Sequence, residues 1–153
     1  MKLSANFTLE EMTKSQVASR QGINNNPNAT QIDALKELCI NVLQPIRSYF
    51  DKPVIISSGF RSCELCIAIG SSIHSQHSKG EAADFEIIGV DNKDLFDYIK
   101  NNIEFDQMIL EFYEGGNSGW VHVSYVSPKE NRKQTLRAYR DEETQKVRYQ
   151  PYG

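Results

Sequence analysis

Three side chains in this sequence have the types and spacing of a catalytic metal site. His77 and Asp84 lie on either side of a Gly-containing turn that leads into an apolar run, and His122 follows in a strand-like segment. Two imidazoles and one carboxylate suit zinc, and a set of three ligands leaves the fourth position open, as in catalytic sites. A metal held in this way polarises a carbonyl and acidifies water, so it can promote attack on an amide without a side-chain nucleophile.

Strand alternation predicts that a glutamate lies beside His122. The segments 107–113 and 120–126 both alternate between apolar and other residues, and the turn-forming stretch between them favours a hairpin. The sets expected to face the core are Met108, Leu110 and Phe112 on the first strand and Val121, Val123 and Tyr125 on the second. Glu111 and His122 then share the opposite face, since a one-residue shift in register would move one apolar set from the core face to the solvent face. Glu111 is therefore the candidate general base, and Arg61, in an upstream turn, offers a forked cation to a substrate carboxylate or an oxyanion.

Two other interpretations remain open at this point. Taken singly, the functional candidates fit ordinary surface or packing positions, and this applies to His122, Glu111, Arg61 and Trp120. The paired cysteines and histidines of 63–66 and 74–77 also have ligand-like spacing, so Cys63, Cys66, His74 and His77 could form a closed structural zinc site. That site would leave Asp84 and His122 without a role.

Length and composition limit the classes of protein. A chain of 153 residues fits one domain, 1–153, whose hydrophobic core is large enough to need no disulfide or structural metal. The net charge of -3 gives no basic footprint, so we expect no nucleic-acid partner. No apolar run reaches a membrane span and the amino terminus lacks a signal-peptide core, so we expect synthesis in the cytoplasm and no stable membrane insertion. The three cysteines do not form a secreted disulfide framework, Cys39 is expected to be buried, and we expect a monomer.

The pattern of elements predicts an α+β fold, with N-terminal helices packed on a mostly antiparallel sheet. A capping box at Thr8 and Glu11 predicts a first helix of about twelve residues that Gly22 ends. An amphipathic helix follows over 29–50, with a kink or break at Pro45. The remaining predicted elements are strands at 53–57, 82–88, 107–113 and 120–126, helices at 64–69 and 92–101, and a terminal hairpin within 134–150 around 141–144.

Several motifs resemble a known family. They are Leu43-Gln-Pro-Ile-Arg47, Ser57-Ser-Gly-Phe-Arg-Ser62, Ser75-Gln-His-x-x-Gly-x-Ala-x-Asp84 and Trp120-Val-His-Val-Ser124. With them the chain resembles the zinc D-alanyl-D-alanine carboxypeptidase and L-alanyl-D-glutamate endopeptidase family of peptidoglycan hydrolases, in its phage and prophage branch. The resemblance implies the Hedgehog/DD-peptidase fold and one zinc ion on His77, Asp84 and His122. It also implies a substrate or oxyanion contact for Arg61 and a site lined by Ser75 and Gln76, and we place Trp120 at the substrate as well.

The sequence departs from the family pattern at one catalytic position. Many members carry a catalytic carboxylate three residues before the last histidine, where this chain has Gly119. We therefore expect Glu111 to be the base of a zinc-dependent hydrolase that cleaves a peptidoglycan stem peptide, reaching the wall through a holin pore or as a virion component. The alternative is a non-catalytic zinc-binding module, a phage structural or wall-binding part of the same fold.

Overall fold

A six-stranded sheet forms the centre of the fold and carries the main helices on one face. The computed structural model describes residues 1–153. A small pair of strands, β1 Lys2–Ser4 and β2 Phe7–Thr8, precedes the sheet, whose own strands are β3 Ile55–Ser58, β4 Ala82–Glu86, β5 Gln107–Glu111, β6 Trp120–Ser124, β7 Gln134–Arg140 and β8 Val147–Pro151. Their order across the sheet is β3-β4-β6-β5-β7-β8. All neighbours are antiparallel except β5 and β7, so the predicted α+β class and the mostly antiparallel sheet are confirmed.

The helices are short. They are α1 Leu9–Thr13, α2 Gln16–Gln21, α3 Ala29–Leu38, α4 Gln44–Phe50, α5 Cys63–Ala68 and α6 Asn92–Asn102. None of them is both long enough and apolar enough to span a membrane. Twenty-four buried residues form the core, most of them from the helices and from one face of the large sheet. The opposite sheet face carries Asp84, Glu111 and His122, together with the apolar side chains of Ile109 and Leu136.

The first predicted helix is wrong in length. Thr8 caps α1 as expected, with its hydroxyl accepting from the Glu11 amide at 3.2 Å, and Gly22 ends α2 in a left-handed conformation. Between them Lys14 is extended, because the Ser15 hydroxyl accepts from the Ala18 amide and begins a second helix. One helix of about twelve residues is therefore two helices of five and six residues.

The predicted break at Pro45 is present as a π-helical turn. Residues Cys39–Leu43 join α3 to α4, and the Gln44 amide bonds to the Cys39 carbonyl, five residues back. Proline has no N–H to donate to the carbonyl four residues before it, so regular bonding fails in the preceding turn. Cys39 is fully buried as expected, and burial raises the pKa of its thiol to about 12.

The hairpin of β5 and β6 has the predicted register up to its end. Ile109 lies opposite His122 and Glu111 opposite Trp120, with the apolar residues between them turned to the core. Phe112 was expected on the core face, which is wrong. Its positive φ of 55° ends the strand and breaks the alternation, so that Tyr113 packs against the core instead.

The remaining elements differ from prediction mainly in their bounds. Three strands end two residues early, at Glu86, Glu111 and Ser124, and β3 begins at Ile55 rather than at residue 53. A 3₁₀ turn, Gln76–Lys79, was not predicted. The terminal hairpin of β7 and β8 is confirmed. Sequence patterns gave no sign that β7 would pair in parallel with β5 and so extend the sheet beyond the hairpin.

Candidate metal centre

Adjacent strands place Asp84 and His122 side by side. They are direct partners in the β4–β6 register, and the polar face of the sheet presents both side chains. The His122 Nδ1 atom lies 2.8 Å from Asp84 Oδ1. Only 6% of Asp84 and 9% of His122 are exposed. The pair is therefore largely shielded from bulk water.

A 3₁₀ turn brings in His77. The Ser75 hydroxyl caps this turn by accepting from the His77 amide at 3.2 Å. The His77 Nδ1 atom lies 2.7 Å from the Gly59 carbonyl oxygen, which can only accept, so Nδ1 carries the proton. That leaves Nε2 unprotonated in the neutral ring, 3.4 Å from Asp84 Oδ1. A backbone carbonyl behind an imidazole is the usual arrangement for orienting a metal ligand.

Gly59 is needed for this contact. A Cβ at position 59 would collide with the Met12 carbonyl, because α1 approaches the turn closely. The Phe60 amide donates to the same Met12 carbonyl at 2.7 Å. The Arg61 amide donates to the His77 carbonyl at 3.1 Å, so the two turns are bound to each other. The first helix thereby fixes the loop that orients His77.

The three side chains fit a metal ion. One ligand atom from each of His77, Asp84 and His122 lies within 4.8 Å of the others, and no other set of three or more His, Cys, Asp and Glu residues does so. The closed site built on Cys63, Cys66 and His74 is therefore wrong. Cys63 is exposed, whereas Cys66 is buried with its sulfur 3.9 Å from the Arg61 carbonyl oxygen.

Asp84 stays ionised despite its burial. Burial opposes the charge, but the hydrogen bond from His122 and the interaction with the His77 side chain hold the pKa of Asp84 well below its usual range. Arg61 adds a further cation, with Nη2 at 3.4 Å from Asp84 Oδ2. An anionic carboxylate between two imidazoles is the form that binds a divalent cation.

Glu111 lies in the same cleft and is held by Trp120. The indole Nε1 donates to Glu111 Oε2 at 2.7 Å across the β5–β6 pair. Burial, and then the negative charge of Asp84, raise the pKa of Glu111, while His122 and the Trp120 bond oppose that rise. A carboxylate with a raised pKa and a fixed orientation has the properties of a general base.

Three contacts fix the Arg61 side chain, and the sequence did not predict them. Its Nε donates to the Ser58 hydroxyl at 2.9 Å and its Nη1 to the Ser71 hydroxyl at 3.4 Å. The third contact is the ion pair with Asp84, and only 18% of the side chain is exposed. The guanidinium therefore faces the centre from a fixed position.

Gln76 is also supported from behind. Its Nε2 donates to Asp106 Oδ2 at 3.0 Å and to Glu81 Oε1 at 3.4 Å. Asp106 is 2% exposed and binds Arg132 through the amide, Nε and Nη2 of that residue, at 2.8 to 3.0 Å. The sequence indicated no role for Asp106, because a single acidic residue just before a strand does not show which distant side chains it will contact.

All the predicted site residues line one cleft of about 480 Å³. Its walls include Arg61, Ser75, Gln76, His77, Asp84, Glu111, Trp120 and His122. Four further residues line it that were not predicted as site residues: Gln107, Ile109, Leu136 and Tyr149. The last two come from the terminal hairpin, whose position depends on the unpredicted β5–β7 pairing.

Gly119 has a structural reason to lack a side chain. Its φ is +64°, and a Cβ there would overlap the Glu111 carbonyl oxygen. A carboxylate three residues before His122 is therefore excluded by the backbone of the very strand that supplies Glu111. The carboxylate that lines the cleft with the three predicted ligands is Glu111, on β5.

Comparison with protein families identifies the chain. The family model described as Peptidase M15 matches residues 5–124, well over half of the sequence. The chain belongs to the peptidase M15 family. Its α+β fold is consistent with that of M15 peptidases, which are zinc-dependent metallopeptidases, and His77, Asp84 and His122 form a group that could bind the ion. The chain matches no curated protein. The matched segment ends at residue 124, so β7 and β8 lie beyond it.

Proposed function

We propose that this M15 peptidase hydrolyses a peptide bond in the stem peptides of bacterial peptidoglycan, with one zinc ion held by His77, Asp84 and His122. The observation that carries the proposal is the presence of Glu111 in the same cleft as these three ligands, fixed by Trp120. A metal set without a proton acceptor would favour binding alone. A metal set with an oriented carboxylate supports hydrolysis.

The side chains divide the reaction between them. When bound, zinc supplies a Lewis acid that polarises the scissile carbonyl and favours deprotonation of water. Glu111 accepts the proton from the water whose oxygen attacks the carbonyl carbon. As the C–N bond breaks, protonated Glu111 delivers that proton to the departing amine, so the carboxylate is regenerated. The raised pKa of Glu111 suits both halves of this transfer.

Arg61 anchors the substrate. Its guanidinium is fixed by Ser58 and Ser71, and it faces the cleft beside Asp84. Stem peptides carry carboxylates, and a forked donor binds a carboxylate through two parallel hydrogen bonds. Ser75 and Gln76 line the adjoining wall, and their own hydrogen bonds hold them in place. This wall favours a polar peptide backbone over an apolar ligand.

The biological setting is part of the proposal and draws on the motifs that resemble the phage and prophage branch. The protein acts as a monomer on the cell wall, in phage-derived lysis or remodelling, after release through a holin pore or as part of the virion. It needs neither nucleic acid nor a stable membrane contact. Cleavage is of the D-alanyl-D-alanine carboxypeptidase or the L-alanyl-D-glutamate endopeptidase type.

Digestion of purified peptidoglycan tests the proposal. The zinc-loaded protein is expected to release fragments whose masses identify the bond, either loss of a terminal D-alanine or separation of L-alanine from D-glutamate. Glu111→Gln should lose at least about a thousandfold in rate with its zinc content unchanged. Glu114→Gln, an exposed glutamate three residues away, is the matched control and should keep full activity. A wild-type protein that binds zinc and releases no fragment would refute the proposal.

The non-catalytic module remains the second candidate, because Gly119 removes the carboxylate that many relatives use. It predicts that the wild type binds zinc and sediments with intact cell walls without changing their composition. Wall binding that survives Glu111→Gln, together with the absence of any product in the wild type, would favour it. Products released by the wild type and lost in Glu111→Gln would reject the non-catalytic module.

A further inference from the structure

One row of residues crosses the sheet on the face of the metal site and reaches the terminal hairpin. Trp120 lies opposite Glu111, Glu111 opposite Ala138 on β7, and Ala138 opposite Tyr149 on β8. Cross-strand partners point to the same face of a sheet. Tyr149 therefore projects on the same side as Glu111, two strands away.

Ala138, the small residue of this row, leaves space on the sheet between Glu111 and Tyr149. Neighbouring strands are about 4.8 Å apart, so β5 and β8 are separated by roughly 10 Å. Ala138 contributes only a methyl group to that gap and is nevertheless 3% exposed. Larger side chains therefore cover it. Glu111 and Tyr149 both line the cleft of the metal site, and Leu136 and Ile109 form an apolar floor in the next row.

Tyr149 is exposed and unpaired within this cleft. It is 57% exposed, and its hydroxyl makes no hydrogen bond within the chain. Partial burial, followed by the charges of Glu111 and Asp84, raises the pKa of Tyr149, so the hydroxyl remains a donor at neutral pH. A free aromatic face and a free donor beside a reaction centre are the features of a ligand contact.

We infer that Tyr149 is a substrate-binding residue that determines which peptide this cleft accepts. Its ring packs along the bound peptide on the side of the cleft away from Arg61, and its hydroxyl donates to a carbonyl oxygen of the peptide. The floor of Ile109 and Leu136 beside it accepts a small apolar side chain such as the methyl group of alanine. The inference rests on the proposed function for the nature of the substrate.

Tyr149 lies outside the segment that the family model matches. The family match covers residues 5–124 and includes every predicted metal ligand, Glu111 and Arg61. Tyr149 and Leu136 come from the segment beyond that match. The terminal hairpin therefore adds a wall to a cleft whose predicted metal ligands and reactive side chains all come from the matched segment. Such an addition affects recognition more than the chemical step.

Steady-state kinetics with stem peptides of defined sequence test the inference. Tyr149→Ala is expected to raise KM at least about tenfold with kcat within about threefold, since it removes ground-state contacts. Tyr149→Phe keeps the ring and should raise KM by about three- to tenfold, the usual effect of one lost hydrogen bond. Zinc content and the thermal midpoint, measured on each variant, show whether the fold and the site are intact.

Val147→Ala is the matched control. Val147 lies on the same strand and the same face as Tyr149 and is exposed, but it does not line the cleft. It should leave KM unchanged. Unchanged KM in folded Tyr149→Ala, with a wild type that hydrolyses the peptide, would overturn this inference and leave the proposed function standing. A wild type that hydrolyses no stem peptide would overturn both.

Discussion

The Trp120 indole donates a 2.7 Å hydrogen bond to Glu111 across two antiparallel strands. This bond connects the residue expected to contact substrate with the residue expected to move the proton. It favours the ionised form of Glu111, against burial and the charge of Asp84. Trp120 is thus a positioning residue for the carboxylate as well as a wall of the cleft.

Replacing Trp120 by Phe should move the acidic limb of the pH–rate profile to higher pH. The base must be ionised to act, and loss of the indole bond removes one of the interactions that lower its pKa. A hydrogen bond to a charged group contributes about 1.5–3 kcal/mol, and one pKa unit corresponds to about 1.4 kcal/mol, so a shift of about one to two pH units is expected. The measurement is kcat/KM from pH 4 to 9 with zinc held saturating.

The same profile separates this role from simple loss of packing. A structural defect would lower the plateau at every pH and leave the position of the limb unchanged. Tyr113→Phe, which removes a hydroxyl that donates to Asp91 at 2.7 Å outside the cleft, is a suitable control and should not move the limb. An acidic limb at the wild-type pH in Trp120→Phe would contradict the assignment.

Zinc removal should abolish activity without unfolding the protein. The core is built from 24 buried apolar residues away from the metal site, so the fold does not depend on the ion. At a free zinc concentration 100 times Kd the metal-bound form gains about 2.7 kcal/mol by mass action, which corresponds to several degrees in Tm. Chelation should therefore lower Tm while leaving the far-UV circular dichroism spectrum intact, and adding zinc should restore both Tm and activity.

His122→Ala provides the complementary test of that prediction. It removes one ligand, so zinc should no longer raise Tm, although the variant should still fold. His74→Ala changes an exposed histidine outside the ligand group and should respond to zinc like the wild type. Equal stabilisation of His122→Ala and wild type would show that the ion binds elsewhere.

Part of the site could be predicted because it depends on short-range periodicity. Alternation within two strands, combined with a short connection, determines which residues share a face, and this placed Glu111 on the same face as His122, with Trp120 as its direct partner. The prediction failed at Phe112, where a left-handed residue ends the strand. Apolar alternation in the sequence runs on to Phe112, one residue beyond the end of the strand, so the pattern alone could not show where the strand stops.

The contacts that orient the site could not be predicted. The bond from His77 to the Gly59 carbonyl depends on how two turns pack against α1, and the Asp106 contact with Gln76 joins residues 30 positions apart. The parallel pairing of β5 with β7 similarly depends on the whole sheet, and with it the position of Tyr149. Such interactions are determined by tertiary packing rather than by spacing along the chain.

The ion pair of Asp106 with Arg132 should make stability depend on acid pH. The Arg132 guanidinium holds the pKa of Asp106 below its usual range, so the carboxylate stabilises the fold above the unfolded pKa of about 3.9. That stabilisation is lost as the pH falls through the folded pKa. In Asp106→Asn the free energy of unfolding should therefore decrease less between pH 5 and 2 than in the wild type, although it starts lower at pH 7.

Urea unfolding at several pH values measures this difference. Asp33→Asn, an exposed residue of α3 without a side-chain hydrogen bond, should keep the wild-type slope. Because Asp106 also supports Gln76, Asp106→Asn is expected to raise KM for the stem peptide with its zinc content unchanged. A wild-type pH slope in Asp106→Asn would contradict the stabilising role of the pair.

A carboxylate introduced at position 119 should fail to replace Glu111 as the base. Any side chain at that position must adopt a φ of +64° and displace the Glu111 carbonyl oxygen, so Gly119→Glu carries the left-handed cost of about 1–2 kcal/mol plus the cost of moving β5. The double variant Glu111→Gln with Gly119→Glu should therefore be less stable than Glu111→Gln alone and no more active, as measured by urea unfolding and by stem-peptide hydrolysis. Recovery of even a hundredth of wild-type kcat in the double variant would show that position 119 can supply the base and that the backbone in this region rearranges to admit it.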